Sequence, residues 1–160
     1  MRPYKVHMHV MADPTNTPDP SDVTACTCFN LRKAARAVTL SYDAALRPAG
    51  IKATQFSILA TLDKKGPLPM TRLAEDLLVD RTALSRNLKP LERDGLVRLA
   101  SETDQRVRLV TLTADGQRVF ARALPLWEAR QAEIAGAMGR ADWAALLTGL
   151  DAAVATTRDR

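Results

Sequence analysis

Residues 80–97, DRTALSRNLKPLERDGLV, read as a helix with leucines on one side and basic residues on the other. At 3.6 residues per turn, Leu84, Leu88 and Leu91 fall in one narrow stripe. Thr82, Ser85, Arg86, Lys89 and Arg93 fall opposite, giving three cations, two hydroxyls and no acid. A solvated helix face normally mixes its signs, so this one suits a negatively charged partner. Asp80 is placed to cap the helix, its carboxylate accepting orphan backbone N–H groups. Gly95 supplies the left-handed position that ends it. Pro90 removes one backbone hydrogen bond and crowds the preceding turn, so a kink or a loosened last turn is expected there.

Working outward, LPMTRLAEDLLVDRT reads as two helices meeting at a tight corner, with Leu73, Ala74 and Leu77 as the buried face of the first. On the other side, LVRLASETDQRVRLVTLT reads as a β-hairpin with a polar turn at SETDQ. In it, Leu96, Val97 and Leu99, then Val107, Leu109, Val110 and Leu112, are interleaved with Arg98, Arg106 and Arg108. Two helices at a corner followed by such a hairpin make a winged helix-turn-helix. Its second helix fits the major groove of double-stranded DNA. Arg86 and Lys89 would reach guanine edges or phosphates, while Thr82 and Ser85 contact bases or backbone. The hairpin tip then lies beside the adjacent minor groove, where an arginine meets the enhanced negative potential of a narrow groove. Arg106, held by Asp104, is best placed for this, and Arg108 continues the same basic strand.

The remainder of the chain is helical in pattern. Residues 1–20 carry Pro3, Pro14, Pro18 and Pro20 among small polar residues and read as a mobile arm. From Ser21 to about Arg47, Cys28, Leu31, Ala35, Val38, Tyr42 and Leu46 recur at three and four and form one apolar side, ended by Pro48 and Gly50. A second helix follows Thr54, a plausible N-cap, and closes at Gly66-Pro67. Thr113 opens a long stretch through Phe120, Leu124, Trp127 and Ile134, with a bend expected at Pro125. After a break at Gly139, Trp143, Leu146, Leu147, Leu150 and Val154 mark a final helix. The expected fold is therefore mainly α with a small β-hairpin wing. It comprises the arm (1–20), a first helix in a dimerisation region (21–53), the winged helix-turn-helix lobe (54–112) and C-terminal dimerisation helices (113–160).

Charge is distributed to match. The chain of 160 residues has a net charge of +5, yet residues 113–160 hold six basic and six acidic residues, whereas residues 81–108 hold seven basic and four acidic. The excess belongs to the lobe rather than to a uniform coat, as expected for a polyanion partner. No apolar run approaches the ~18 residues of a membrane span. The N-terminus lacks the apolar core of a secretory signal, so a cytoplasmic protein without membrane partners is expected.

The stretch MTRLAEDLLVDRTALSRNLKPLERDGLVRLASETDQRVRLVTLTADG resembles the DNA-binding lobe of the MarR family of bacterial transcriptional regulators. The likeness spans roughly residues 25–155 and joins LAEDL, DRTALSRNL, LERDGLV, the D-x-R of Asp104 and Arg106, and LTADG in order. It implies an obligate homodimer on a pseudo-palindromic site. Such a protein is usually a repressor, released by a phenolic or other lipophilic ligand bound between the dimer helices and the lobe, or by oxidation of a cysteine near the first helix. Gln105 stands where a second basic residue frequently sits, which weakens the wing's hold on phosphate.

Dimerisation also follows from the chain. Trp127, Trp143 and Leu147 lie on C-terminal helices with no separate domain to cover, and packing against the first helix of a second copy would bury them. The two cysteines, Cys26 and Cys28, lie two residues apart and so point to nearly opposite sides of a helix. Cys28 shares the apolar side with Leu31. Cys26 lies near the positive end of the helix, which favours thiolate, and is the redox candidate. Arg32 borders the apolar face and, with Cys28, is the effector-binding candidate, able to meet a carboxylate or phenolate. His7 and His9, both on the arm, are the only histidines, so no metal site or other cofactor is expected. With no phosphate loop, no histidine base in the folded part and no paired carboxylates, no enzyme is expected either. The alternatives are a thiol-based redox-sensing repressor and a winged helix that binds protein.

Overall fold

The structure, a computed structural model, describes residues 18–101 and 108–158. The greater part of the expected arm, the expected turn at the hairpin tip and the last two residues lie outside this range. The chain divides into two compact units, one ending at Val38 and the other running from Thr39.

In the first unit a single 3-10 turn, Val23–Ala25, precedes helix α1 (Thr27–Leu46), which begins here and continues into the second unit. The expected helix start at Ser21 is thus six residues early. Asp22 accepts the Thr24 N–H and hydroxyl at 2.8 and 2.7 Å, a local capping bond that favours the turn over a helix. The Asn30 amide donates to the carbonyls of Thr24 and Cys26 and closes the junction.

The second unit contains the end of α1, a 3-10 turn Arg47–Ala49, and α2 (Ala53–Lys65). Next come β1 (Leu68–Pro69), α3 (Met70–Asp76), α4 (Arg81–Arg93), β2 (Val97–Ser101) and β3 (Arg108–Leu112). Finally, α5 (Ala114–Met138) and α6 (Arg140–Arg158) complete the chain. It is mainly helical with one small antiparallel sheet, in the arrangement of a winged helix-turn-helix. The sheet has three strands rather than the expected two, in the order β1-β3-β2. Leu68 and Pro69 pair with Val110 and Leu109, on the edge of β3 away from β2. A two-residue strand containing a proline has no periodicity to reveal it, and only an edge position tolerates its missing N–H.

Helix α2 starts one residue before Thr54. The N-cap is Lys52, whose N–H donates to Gln55 Oε1 at 2.9 Å, while the Ala53 N–H donates to Asp43 Oδ1 on α1 at 2.7 Å. One of its orphan donors is thus met from ten residues upstream, without a hydroxyl at the cap. Both prolines lie within unbroken helices, Pro90 in α4 and Pro125 in α5.

Leu46, Leu59, Leu73, Leu84, Leu88, Leu91 and Val110 are at most 2% exposed and form the centre of the core. Phe56 brings the first part of α5 onto it, its ring 5.4 Å from Phe120 and 5.6 Å from Trp127. Trp127, expected at a dimer interface, is half-buried and packs against the core of its own chain. The apolar side of α1 is different, because Leu31 and Val38 are exposed and only Leu46 is buried. On α6, Leu146, Leu147, Leu150 and Val154 are all exposed in the single chain.

Candidate nucleic-acid interface

Helix α4 is held at both ends and along its inner stripe. Asp80 Oδ1 accepts the Ala83 N–H at 2.7 Å, the cap expected from sequence. Gly95 takes φ +70°, and the Leu96 N–H closes back onto the Leu91 carbonyl at 2.8 Å, the six-to-one bond of a Schellman ending. With Leu84, Leu88 and Leu91 locked inward, the opposite face must point outward.

The corner before α4 carries a left-handed residue that the sequence did not reveal. Leu78 has φ +51°, and the Val79 N–H reaches back to the Ala74 carbonyl at 3.0 Å. Glycine is the usual residue at such a helix end, and a leucine there carries about 1–2 kcal/mol of strain.

On the outer face of α4, Thr82, Arg86 and Lys89 are exposed and Ser85 is half-exposed. Arg81 is exposed beside them and was not singled out from sequence, although its i, i+4, i+8 spacing with Ser85 and Lys89 was there to be read. Among the described residues, no carboxylate lies within ion-pair distance of Arg81, Arg86 or Lys89. Arg93, also on the basic face by sequence, is engaged. Its Nε donates to Asp94 Oδ1 at 2.8 Å, and that hydrogen bond holds the Asp94 carboxyl below the ordinary carboxylate range.

The hairpin supplies one further described cation of the expected set. Arg108 is exposed at the start of β3, opposite Ser101, at the end of the hairpin nearest its tip. Asp104 and Arg106 lie outside the described residues. The base of the hairpin is tied to α5 through Thr113, whose hydroxyl donates to the Gly95 carbonyl at 2.7 Å and accepts the Gly116 N–H at 3.0 Å. The Thr113 N–H donates to the Leu96 carbonyl at 3.1 Å.

The remaining sequence candidates lie elsewhere. Cys26 and Cys28 are exposed free thiols, Cys26 just before the first residue of α1, and Arg32 is exposed on α1. Cys28, read on the apolar side of the first helix, is exposed in the single chain, as is Leu31 on that side. On α6, Trp143 is half-buried and Leu147 exposed. A cleft between the end of α1 and α5, unforeseen from sequence, is lined by Ser41, Ala45, Leu126, Ala129, Arg130 and Glu133. Arg130 bridges Ser41 and Glu133 there, and Tyr42 donates to Gln131 beside it. Burial pushes the Tyr42 phenol up. No helix among the described residues is long and apolar enough to cross a membrane.

This arrangement is shared with known proteins. The profile of the MarR family matches residues 51–107, which contain α2, α3, α4 and β2 and end just before β3. The chain is 32% identical over 100 residues to the organic hydroperoxide resistance transcriptional regulator of Bacillus subtilis, covering 62% of this chain and 68% of that one. The solved structure of the M. tuberculosis transcriptional regulator MosR in complex with DNA is 41% identical, covers 80% of this chain and 98% of its own, and superposes with a TM-score of 0.68. The transcriptional repressor CouR, solved on a 23-mer DNA duplex, is 25% identical with a TM-score of 0.74, over 87% of this chain and 99% of its own. With identity of this extent over nearly the whole length of a relative, and with the same order of helices and strands, the chain belongs to the MarR family of transcriptional regulators.

Proposed function

We propose that the protein is a homodimeric, sequence-specific DNA-binding regulator, a repressor released from a pseudo-palindromic operator by a small lipophilic or aromatic ligand. The observation that carries the reading is the outer face of α4, where Arg81, Arg86 and Lys89 stand exposed without a carboxylate partner among the described residues. In the major groove, Arg86 reads a guanine edge or grips phosphate, Lys89 and Arg81 neutralise phosphate, and Thr82 and Ser85 complete the contacts. Arg106, positioned by Asp104, serves the minor groove, and Arg108 the adjacent backbone. Residues 54–112 form the reading lobe, with dimerisation assigned to residues 21–53 and 113–160. The unpartnered row Leu146, Leu147, Leu150 and Val154 supports a second copy there. The cleft with Arg130 among alanines and Leu126 supports a ligand with an apolar body and an anionic or phenolic tip.

Selection of binding sites from random duplex DNA tests the reading. A pseudo-palindrome with half-sites about one helical turn apart is expected. If nothing is enriched by the reduced, ligand-free protein, a winged helix that binds protein becomes the better reading.

A second reading, a thiol switch, is favoured by the exposure of Cys26 and Cys28 at the start of α1. Under that reading, Cys26→Ser abolishes release of DNA by peroxide while leaving binding by the reduced protein intact.

A further inference from the structure

Asn87 sits on α4 between Arg86 and Leu88, beside the face proposed to meet DNA, and asparagine is a residue well suited to reading adenine. Its amide is already engaged. Nδ2 donates to the Ala83 carbonyl at 3.0 Å, and Oδ1 accepts the Thr54 hydroxyl of α2 at 3.1 Å. Thr54 lies in the first turn of α2, immediately after Ala53, whose N–H is held by Asp43 of α1 at 2.7 Å. Three helices are thus joined in series, from Asp43 on α1 through the first turn of α2 to Asn87 on α4. Away from this path α2 and α4 contribute to one apolar core, α2 through residues such as Ile58 and Leu62 and α4 through Leu84 and Leu88. Apolar packing tolerates small sliding and rotation, whereas a directed hydrogen bond at the rim of such a contact fixes the rotation of one helix on the other.

We propose that Thr54 and Asn87 form a positioning clasp, anchored by Asp43, that sets the rotation of α4 about its axis and so determines which of its side chains meet base edges. The inference rests on the DNA-binding reading of α4. Neither residue need touch DNA. Their effect is on register, and therefore on the discrimination between right and wrong sequences rather than on the electrostatic grip common to all DNA. Through Asp43 the clasp also links the reading helix to the last turns of α1, next to the Ser41–Arg130 cleft.

The test uses the full-length protein, its selected operator and a scrambled duplex of equal length, with affinities measured by fluorescence anisotropy over a range of salt. Thr54→Val keeps shape and removes the donor. It is expected to weaken operator binding about threefold to tenfold, the worth of one hydrogen bond, with scrambled-duplex binding and the salt slope unchanged. Thr54→Ser, which keeps the donor, restores operator affinity. The double variant Thr54→Val/Asn87→Ala binds no more weakly than Asn87→Ala alone, because both act on one link. Asp43→Ala reproduces the loss of discrimination. Melting temperatures of all variants are recorded, so that loss of fold is seen directly. Unchanged operator affinity in Thr54→Val, an equal loss on both duplexes, or additive losses in the double variant would each overturn the clasp. Wild-type protein that fails to prefer the operator removes the DNA reading itself, and the clasp with it.

Discussion

Gly116, in the first turn of α5, allows a sharp prediction because two effects of opposite sign meet there. In a helix, alanine is favoured over glycine by about 1 kcal/mol, so propensity alone makes Gly116→Ala stabilising. The surroundings say otherwise. A Cβ built on Gly116 would lie 2.0 Å from the Leu96 carbonyl oxygen and 2.6 Å from Leu112 Cδ1. A close carbon–oxygen contact needs about 3.3 Å, so α5 would have to withdraw from the hairpin base by roughly 1.3 Å. Leu112 can turn aside, but the Leu96 carbonyl cannot, since it accepts from both the N–H and the hydroxyl of Thr113 at 3.1 Å. Withdrawal lengthens those bonds as well, at about 1 kcal/mol each, and adds to an overpacking cost of about 1–3 kcal/mol.

Net of the helix gain, Gly116→Ala is expected to destabilise the fold by about 3 kcal/mol, which in a chain of this size lowers Tm by roughly 6–12 °C. Thermal unfolding followed by circular dichroism at one fixed protein concentration checks this. Gly136→Ala, in the same helix with nothing within 4 Å of its Cβ, serves as control and should be neutral or slightly stabilising. A Gly116→Ala protein that melts at or above wild type would refute the close approach of α5 to the hairpin base.

The DNA reading predicts different signatures for two cations. Lys89→Ala should weaken binding evenly across sequences and lower the log–log salt slope by about 1, whereas Arg86→Ala should cost about 1–3 kcal/mol and relax preference at one base position. Salt-dependent anisotropy on operator and scrambled DNA separates the two, and identical behaviour of both variants would count against the assignment. Leu147→Glu introduces a charge into the exposed row of α6 and should yield a monomer in sedimentation analysis, while an unchanged mass would remove α6 from the dimer interface. Asp76 bonds Lys65 at 2.8 Å, and that hydrogen bond lowers its pKa from the ordinary 3.8. A carboxylate with a depressed folded-state pKa stabilises the fold above about pH 4, and the contribution is lost as the pH falls through the folded value. Asp76→Asn should therefore flatten the acid limb of stability below pH 4 and lower stability at neutral pH, as read from urea midpoints across pH.

What could be read from sequence was local. The Leu84–Leu88–Leu91 stripe, the Asp80 cap, the Gly95 ending and the Thr113 start each depend on residues within one or two turns of each other, and each was legible. What was not legible was met from a distance. Asp43 caps α2 from ten residues upstream, so Lys52 serves where a hydroxyl was expected. Strand β1 exists only because β3 offers an edge forty residues on. Leu78 takes a left-handed conformation that its side chain disfavours, because the α3–α4 corner imposes it. Arg93 reads as part of the basic face by periodicity but is withdrawn by its immediate neighbour Asp94. The apolar period of α1 is present in the sequence, yet Leu31 and Val38 stand exposed among the described residues, because periodicity states that a face is apolar and not what covers it.

These attachments bear on how such a protein would be controlled. Helix α4 is fixed by three buried leucines, capped at both ends, and tied to α2 by the Thr54–Asn87 bond. It therefore does not have to order itself on DNA, and the gain from its charged contacts is not offset by a folding cost. For the same reason, a ligand acting by melting α4 would have to disrupt most of the lobe's core. A smaller perturbation suffices if it acts where α1, α2 and α5 meet, since Asp43, which holds the start of α2, and Ser41, which accepts from Arg130 of α5, are close neighbours on α1. A shift of α1 there would pass through α2 as a rotation of an intact α4. In the proposed dimer, rotating or separating two intact reading helices is enough to mismatch half-sites spaced by one turn of DNA.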